Sequence, residues 1–227
     1  MRFEEWEPVY EAILADFGYP RSADEEARDI LAANTRGFDW STLDNVAGTS
    51  VAIAGGATTL DEELGVVESA SVVFAASNAA VTIRNAGLDV DLMTTDLDKV
   101  PETAVALSRD GTPVAVHAHG DNVPALERWL PEFDPDFVLP TTQAEPVGPV
   151  ENVGGFTDGD RGAFLADHLG AATLRFPGWD FDDPTASPAK RQKLEWAERL
   201  LSWLETRRGD RFDLLDGRRD AIEPIQD

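Results

Sequence analysis

Asp96 and Asp98 follow directly on an apolar run in the stretch DVDLMTTDLD, residues 89–98. Two carboxylates one residue apart, where a buried strand stops, can face one hard cation directly or through its water. In an extended chain they would lie on the same side, about 6–7 Å apart. The chain has no cysteine and three histidines, so oxygen donors dominate and Mg²⁺ is favoured, with Mn²⁺ as the second choice. Mg²⁺ held by one or two carboxylates commonly completes its shell with substrate phosphates, which points to a nucleotide. The stretch VHAHGDN places His117 and His119 on one strand face. A tetrahedral zinc set cannot be completed from them, because His168 is the only other histidine and thiolates are absent. His117, inside the apolar run, reads as a hydrogen-bonded core residue. His119 nearer the edge is placed to touch phosphate or substrate, and Asp121 to serve as metal ligand or base.

Three further segments carry candidate chemistry. GGATT, residues 55–59, reads as a glycine turn opening a helix, suited either to a phosphate or to a tight strand-to-helix connection. In GGFTDGDR, residues 154–161, a glycine pair precedes Thr157 as helix N-cap, with Asp158 and Asp160 in the first turn where acids are favoured. Lys190, Arg191 and Lys193 concentrate positive charge and could hold a triphosphate; as surface pairs with neighbouring acids they would contribute little. Trp196 and Trp203 read as core, not as a stacking platform.

The elements that must position these groups follow from the apolar pattern. Phe3, Trp6, Val9, Tyr10, Ile13, Leu14 and Phe17 recur at helical spacing, ended by Gly18 and Pro20. A second helix over SADEEARDILAANTR would start at Ser22 as N-cap, with Glu25 completing a capping box. From Ser50 the pattern changes to short runs of Val, Ile, Leu and Phe: VAIAGG, SVVFAAS, VDLMTT, PVAVHAHG, FVLPTT and ATLRFPG. They alternate with helical segments such as NAAVTIRNAG, VPALERWL and GDRGAFLADHLG, and a last long helix covers SPAKRQKLEWAERLLSWLETRR. Strands buried on both faces, joined by crossover helices, predict an α/β fold with a doubly wound, mainly parallel sheet and an N-terminal helical preface. The expected division is 1–48 helical, 49–208 a single α/β domain and 209–227 a tail. Ligands of such sheets bind outside the carboxyl ends of the strands, where the acids at Asp96 and Asp98, Asp121, Asp158 and Asp160, and Asp180 to Asp183 collect.

The chain has 227 residues, 42% of them hydrophobic, enough for a sizeable core. Lys plus Arg total 19 against 43 Asp plus Glu, a net charge of −24. That balance excludes a phosphate-backbone partner such as nucleic acid and disfavours anionic membranes. Acids spread along the whole chain, with few lysines, resemble the composition of a halophilic archaeon's cytosolic protein. No early apolar segment looks like a signal peptide and no run approaches the ~18 residues of a membrane span, so a cytoplasmic protein is expected.

Four blocks in order, NAAVTIRNAGLDVDLMTTDLD, VHAHGDN, GGFTDGDRGAFLADHLGA and KRQKLEWA, resemble the archaeal 6-hydroxymethyl-7,8-dihydropterin pyrophosphokinase family, which is related to the catalytic domain of thiamin pyrophosphokinases. The resemblance runs from the GGATT turn to the last helix. It implies a thiamin-pyrophosphokinase-like catalytic fold and Mg²⁺-dependent transfer of diphosphate from ATP to the pterin hydroxymethyl group, leaving AMP, in tetrahydromethanopterin or folate biosynthesis. It also implies that Asp96 and Asp98 bind metal and phosphates, with Asp121 as a further metal ligand. Active-site roles fall to His119, Asp121 and Asn122 and to Thr157, Asp158 and Asp160. Lys190 or Lys193 would hold outer phosphate oxygens, Asp121 or Asp158 would act as base, and Asn78 or Asp160 would meet the pterin edge. The expected partners are ATP and a reduced pterin, and a homo-oligomer is left open. Two departures argue against thiamin: the short tail after Gly209 holds no second β-rich domain, and FPGWDFDDPT replaces a glycine-rich arginine segment. A D-x-D nucleotide-sugar transferase and a non-enzymatic acidic nucleotide-binding regulator are the competing readings.

Self-repulsion among so many acids destabilises the compact state, and salt screens it. Thermal unfolding followed across a KCl series is expected to show a rising midpoint; a flat or falling series would remove the halophilic reading.

Overall fold

The computed structural model describes residues 1–225. Each of the six apolar runs forms a strand: β1 Ser50–Ala54, β2 Val72–Ala76, β3 Leu92–Thr95, β4 Val114–Ala118, β5 Val138–Thr142 and β6 Thr173–Arg175. They make one sheet in the order β5-β4-β3-β2-β1-β6, with every pairing parallel. The chain steps outward from β1 to β5 and then crosses back to lay β6 on the far side of β1. Strand residues alternate between two cores. Val51, Ile53, Val72, Phe74, Leu92 and Leu139 face one, while Val73, Ala75, Met93, Val114, Val116 and Val138 face the other. This alternation at period two is why the strands read as continuous apolar runs.

Helices cover both faces. α1 Phe3–Phe17, α7 Asp158–His168 and α8 Pro188–Arg208 pack on the first core. α2 Arg21–Asn34, α3 Leu64–Ser69, α4 Ala79–Asn85, α5 Pro101–Arg109 and α6 Val123–Trp129 contribute to the second. Gly18 ends α1 in the left-handed conformation (φ 69°), and its N–H returns to Leu14 O, as expected of a glycine stop. α7 starts after the expected N-cap Thr157, in a capping box that the sequence reading did not specify: Thr157 N–H donates to Asp160 Oδ2 at 3.0 Å. α8 starts at Ser187, whose Oγ accepts from Lys190 N–H at 3.2 Å.

Three sequence expectations fail here. The second helix begins at Arg21 behind Pro20, so Ser22 lies inside its first turn and caps nothing. GGATT does not open an α-helix: a 3₁₀ turn over Thr58–Asp61 follows, and α3 begins only at Leu64. The N–H groups of Gly55 and Ala57 donate to Pro177 O and Gly178 O, both at 2.9 Å, so this turn is stitched to the end of β6 and those donors do not face a phosphate. The acids of TDLD are also not extended. Leu97 takes a left-handed backbone (φ 67°), Asp98 N–H donates to Asp96 Oδ1 at 3.2 Å, and a turn replaces strand alternation. Burial of the Leu97 side chain in the second core offsets that unfavourable backbone.

The two N-terminal helices are built into the molecule. Trp6, Tyr10 and Ile13 of α1 are in the first core, and Ala27 and Leu31 of α2 are in the second. α2 passes so close to the loop after β4 that a Cβ on Gly120 would lie 2.5 Å from Ala23 Cβ. Gly120→Ala must therefore push α2 away, at a cost of about 1–3 kcal/mol. Denaturant unfolding is expected to show that loss for Gly120→Ala and none for the control Gly37→Ala, where a Cβ meets nothing within 4 Å.

Candidate active site

The carboxyl ends of the strands open into one cleft. After β1 come Gly55 and Gly56, after β2 Ser77 and Asn78, after β3 Asp96, Asp98 and Lys99, after β4 His119, Gly120 and Asp121, after β5 Gln143, and after β6 Trp179 and Asp180. Asp158 and Arg161 of α7, Lys190 and Lys193 of α8, and Tyr19 and Asp24 at the start of the chain close its sides. Trp179 forms one wall. Its indole N–H donates to Ile53 O at 2.9 Å, and its ring lies where a Cβ on Gly159 would sit 2.6 Å away. Glycine is therefore required at that position of α7.

The acids after β3 form a crowded pair. Burial and the neighbouring Asp96 carboxylate push Asp98 up to about 6, against the pull of Lys99 and Lys193. Burial works to raise Asp96 as well, but hydrogen bonds from His119 and Asp98 outweigh it and hold Asp96 below the usual carboxylate range. Burial and then the Asp96 charge drive Asp158 well above its ordinary value. Three acids thus compete for charge in one place, and a cation there would relieve all of them. Among the described residues no group of three or more His, Asp or Glu is arranged to hold a metal alone. A pair of carboxylates suits an ion such as Mg²⁺, which keeps water and phosphate in the rest of its shell.

His119 is oriented from both ring nitrogens. Nδ1 accepts from Asp121 N–H at 3.3 Å, which leaves the hydrogen on Nε2, 3.5 Å from Asp96 Oδ2. The ring steadies Asp96. The Asp121 side chain is exposed in the cleft and makes no hydrogen bond or ion pair among the described residues. Asn78 lines the cleft beside Gly56. Lys190 Nζ pairs with Asp183 Oδ2 at 2.8 Å and holds that carboxyl below its usual range. Lys193 lies where its charge favours ionised Asp98.

Two expected ligand contacts are instead internal braces. Asn122 is buried; its Nδ2 donates to Asp96 O at 2.8 Å and His117 O at 2.7 Å, and its Oδ1 accepts from His119 N–H at 3.0 Å. Its amide ties the end of β4 to the acidic turn after β3. The Asp160 side chain is buried, and its carboxylate accepts from the Thr157 hydroxyl and from the N–H groups of Phe156 and Thr157; Thr157 itself lines the cleft.

The sequence matches, over residues 31–185, the family described as 6-hydroxymethylpterin diphosphokinase, MptE-like. The chain belongs to this family. It is 37% identical to the 6-hydroxymethyl-7,8-dihydropterin pyrophosphokinase of Methanothermobacter thermautotrophicus, over 92% of this chain and 97% of that protein. The similarly named protein of Pyrococcus furiosus is 37% identical over 90% of this chain and 95% of its own. That of Methanocaldococcus jannaschii is 29% identical over 90% and 96%. The family match begins inside α2 and ends before α8, so it starts earlier and stops sooner than the motif blocks alone indicate.

The floor of the cleft was missed from sequence. Asp24 is buried and accepts from Gly120 N–H (2.8 Å), Tyr10 Oη (2.9 Å) and Gln143 Nε2 (2.7 Å). A signal for it existed: Asp24, Ala27 and Leu31 are the buried residues of α2, so an acid stands in the apolar stripe at i, i+3, i+7. Arg161, also buried, gives its two terminal nitrogens to Gly155 O (3.1 Å) and Phe156 O (2.8 Å); nothing in its spacing separates it from a surface arginine. Asn122→Ala removes both donors and leaves Asp96 O and His117 O unpaired, at about 1–3 kcal/mol. The expected result is a lower denaturant midpoint accompanied by loss of turnover, since the acidic turn is no longer anchored.

Proposed function

We infer that the chain is a 6-hydroxymethyl-7,8-dihydropterin diphosphokinase, moving the β,γ-diphosphate of ATP onto the pterin hydroxymethyl oxygen and releasing AMP. The observation that carries the reading is the 37% identity to proteins of that name over nine-tenths of the chain, joined to a cleft whose acids and lysines sit at the strand ends. Membership in the family favours neither the nucleotide-sugar transferase nor the regulator reading, and no observation supports either.

Asp96 and Asp98 would hold Mg²⁺, which when bound neutralises triphosphate charge and acts as a Lewis acid. The protein's own groups do the rest. Lys193 and Lys99, both lining the cleft beside Asp98, attract the phosphate chain. Lys190 joins them by exchanging Asp183 for a phosphate oxygen. Attack by the hydroxymethyl oxygen on the β-phosphorus requires in-line positioning and the loss of one proton. Asp121 takes that proton: its side chain is exposed to the cleft and bound to nothing else, whereas burial and then the Asp96 charge raise Asp158 well above its ordinary value. His119 holds Asp96 in place through Nε2–H.

Incubation with ATP, Mg²⁺ and 6-hydroxymethyl-7,8-dihydropterin is expected to give AMP and pterin diphosphate in equal amounts by chromatography, and Asp98→Asn is expected to fold but lose most of that activity. ADP with a pterin monophosphate would overturn β-attack. Absence of any pterin-dependent turnover would overturn the assignment.

A further inference from the structure

The cleft has two aromatic ends, with the acid pair between them. The sheet order β5-β4-β3-β2-β1-β6 fixes what lies on each side. Asp121 follows β4, Asp96 and Asp98 follow β3, Asn78 follows β2, Gly55 and Gly56 follow β1, and Trp179 follows β6. Neighbouring strands are about 4.8 Å apart, so their ends form a row in which the Asp121 and Asn78 segments flank the acids on opposite sides.

At the β6 end the Trp179 indole is pinned along its edges. Its N–H is bound to Ile53 O, and a Cβ on Gly55 or Gly159 would come within 2.9 Å or 2.6 Å of the ring. The ring is still partly exposed and lines the cleft. Asn78 reaches the same glycine turn from β2, since a Cβ on Gly56 would lie 2.3 Å from its Oδ1. Asn78 is exposed, and its amide makes no hydrogen bond among the described residues. A free amide presents an acceptor beside a donor, the complement of adenine's amino group and the ring nitrogen next to it. At the other end Tyr19 and Phe156 line the cleft. Phe17 packs on both, its ring centroid 5.2 Å from each. The corner carrying Tyr19 leads into α2, which presses on the loop of Asp121: Ala23 meets Gly120, and Asp24 accepts from Gly120 N–H. Burial, and then the Asp121 charge, oppose ionisation of the Tyr19 phenol.

The reaction tells the two ends apart. The hydroxymethyl oxygen forms a bond to the β-phosphorus and gives its proton to Asp121. The bond from that phosphorus to the α,β-bridging oxygen breaks, and AMP leaves with the electron pair. In-line displacement sets the entering and leaving oxygens on opposite sides of the phosphorus. With the base after β4 and the metal-binding acids after β3, the departing AMP lies on the β2 side. We propose that adenine occupies the β6 end, stacked on Trp179 with its amino edge on the Asn78 amide, and that the pterin lies at the Tyr19 and Phe156 end. The proposal rests on the diphosphokinase reading above and fixes the direction of its substrates across the sheet. Asn78, expected from sequence to meet the pterin edge, thereby becomes a nucleotide contact. The N-terminal helices gain a role in recognition, because the corner between them supplies Tyr19.

Pterin-dependent AMP formation by the unaltered full chain is measured first; its absence would overturn the functional reading and this proposal with it. With that activity present, the protein is irradiated with 8-azido-ATP and Mg²⁺ and digested with trypsin. The label that ATP suppresses is expected in residues 176–190, which hold Trp179, or 37–84, which hold Asn78. Such label confined to any other segment, above all 3–21 with Tyr19 or 129–161 with Phe156, would overturn the proposal. Asn78→Ala is expected to raise the ATP KM about tenfold, the effect of losing one amide's two hydrogen bonds, with the pterin KM unchanged. Tyr19→Leu is expected to raise the pterin KM and leave the ATP KM in place. The reverse pattern, or both KM values unmoved in both variants, would equally overturn it. The photolabel needs no variant, so it decides the matter even where Tyr19→Leu fails to fold.

Discussion

The carboxylate of Asp24 is buried, and three hydrogen bonds reach it from three separate segments: Tyr10 in α1, Gly120 after β4 and Gln143 after β5. A buried charge left alone costs several kcal/mol, and hydrogen bonds to it are each worth about 1.5–3 kcal/mol. The arrangement is therefore all or nothing: the carboxylate is tolerable only if every segment is in place. Arg161 adds an opposite charge near enough to feel Asp24. The wall of the cleft made by α1 and α2, the turn holding His119 and Asp121, and the orientation of Gln143 are all consequences of satisfying this one group. Tyr10 shows the coupling in reverse, since burial and the Asp24 charge both oppose ionisation of its phenol.

Charge in the cleft follows a gradient. The acids after β3 lie near Lys99 and Lys193, while the floor carries neutral His117 and the buried Arg161. Within a molecule of net charge −24, anionic substrates meet a generally repulsive exterior, and the lysines of the cleft mark where that repulsion is locally reversed. The same exterior explains why individual carboxylates elsewhere carry little information. Most are solvated or paired with arginine, as Glu7 and Glu25 are with Arg21.

The sheet was legible in the sequence because its two faces are both buried, so β1 to β5 appear as uninterrupted apolar runs and their ends point to the cleft. The start of α7 after Thr157 was legible for a similarly local reason: the N-cap residue and the first-turn acids are neighbours in sequence. What could not be read was anything decided by partners far along the chain. Asn122 and Asp160 look like ligand contacts because they are polar and near the motifs, yet their atoms are taken up by Asp96, His117, Phe156 and Thr157. The left-handed turn at Leu97 is invisible to propensity, since a bulky residue with positive φ is maintained only by the core around it. Asp24 announced itself as an acid on a buried helical stripe, but its partners lie 96 and 119 residues away.

That separation bears on how the molecule comes into being. α1 is made long before its partners: Trp6 bonds to Gln143 O, Asp16 accepts from Trp196 Nε1 at 2.7 Å, and Glu5 pairs with Arg207 at 3.0 Å. A chain emerging from the ribosome exposes the apolar face of α1 until α8 has been synthesised, nearly the full length later. Parallel pairing adds its own delay, because every crossover must close a long loop before any contact rewards it. α1 is thus made long before the segments that bury its aromatic face, and it is among the last elements to be secured.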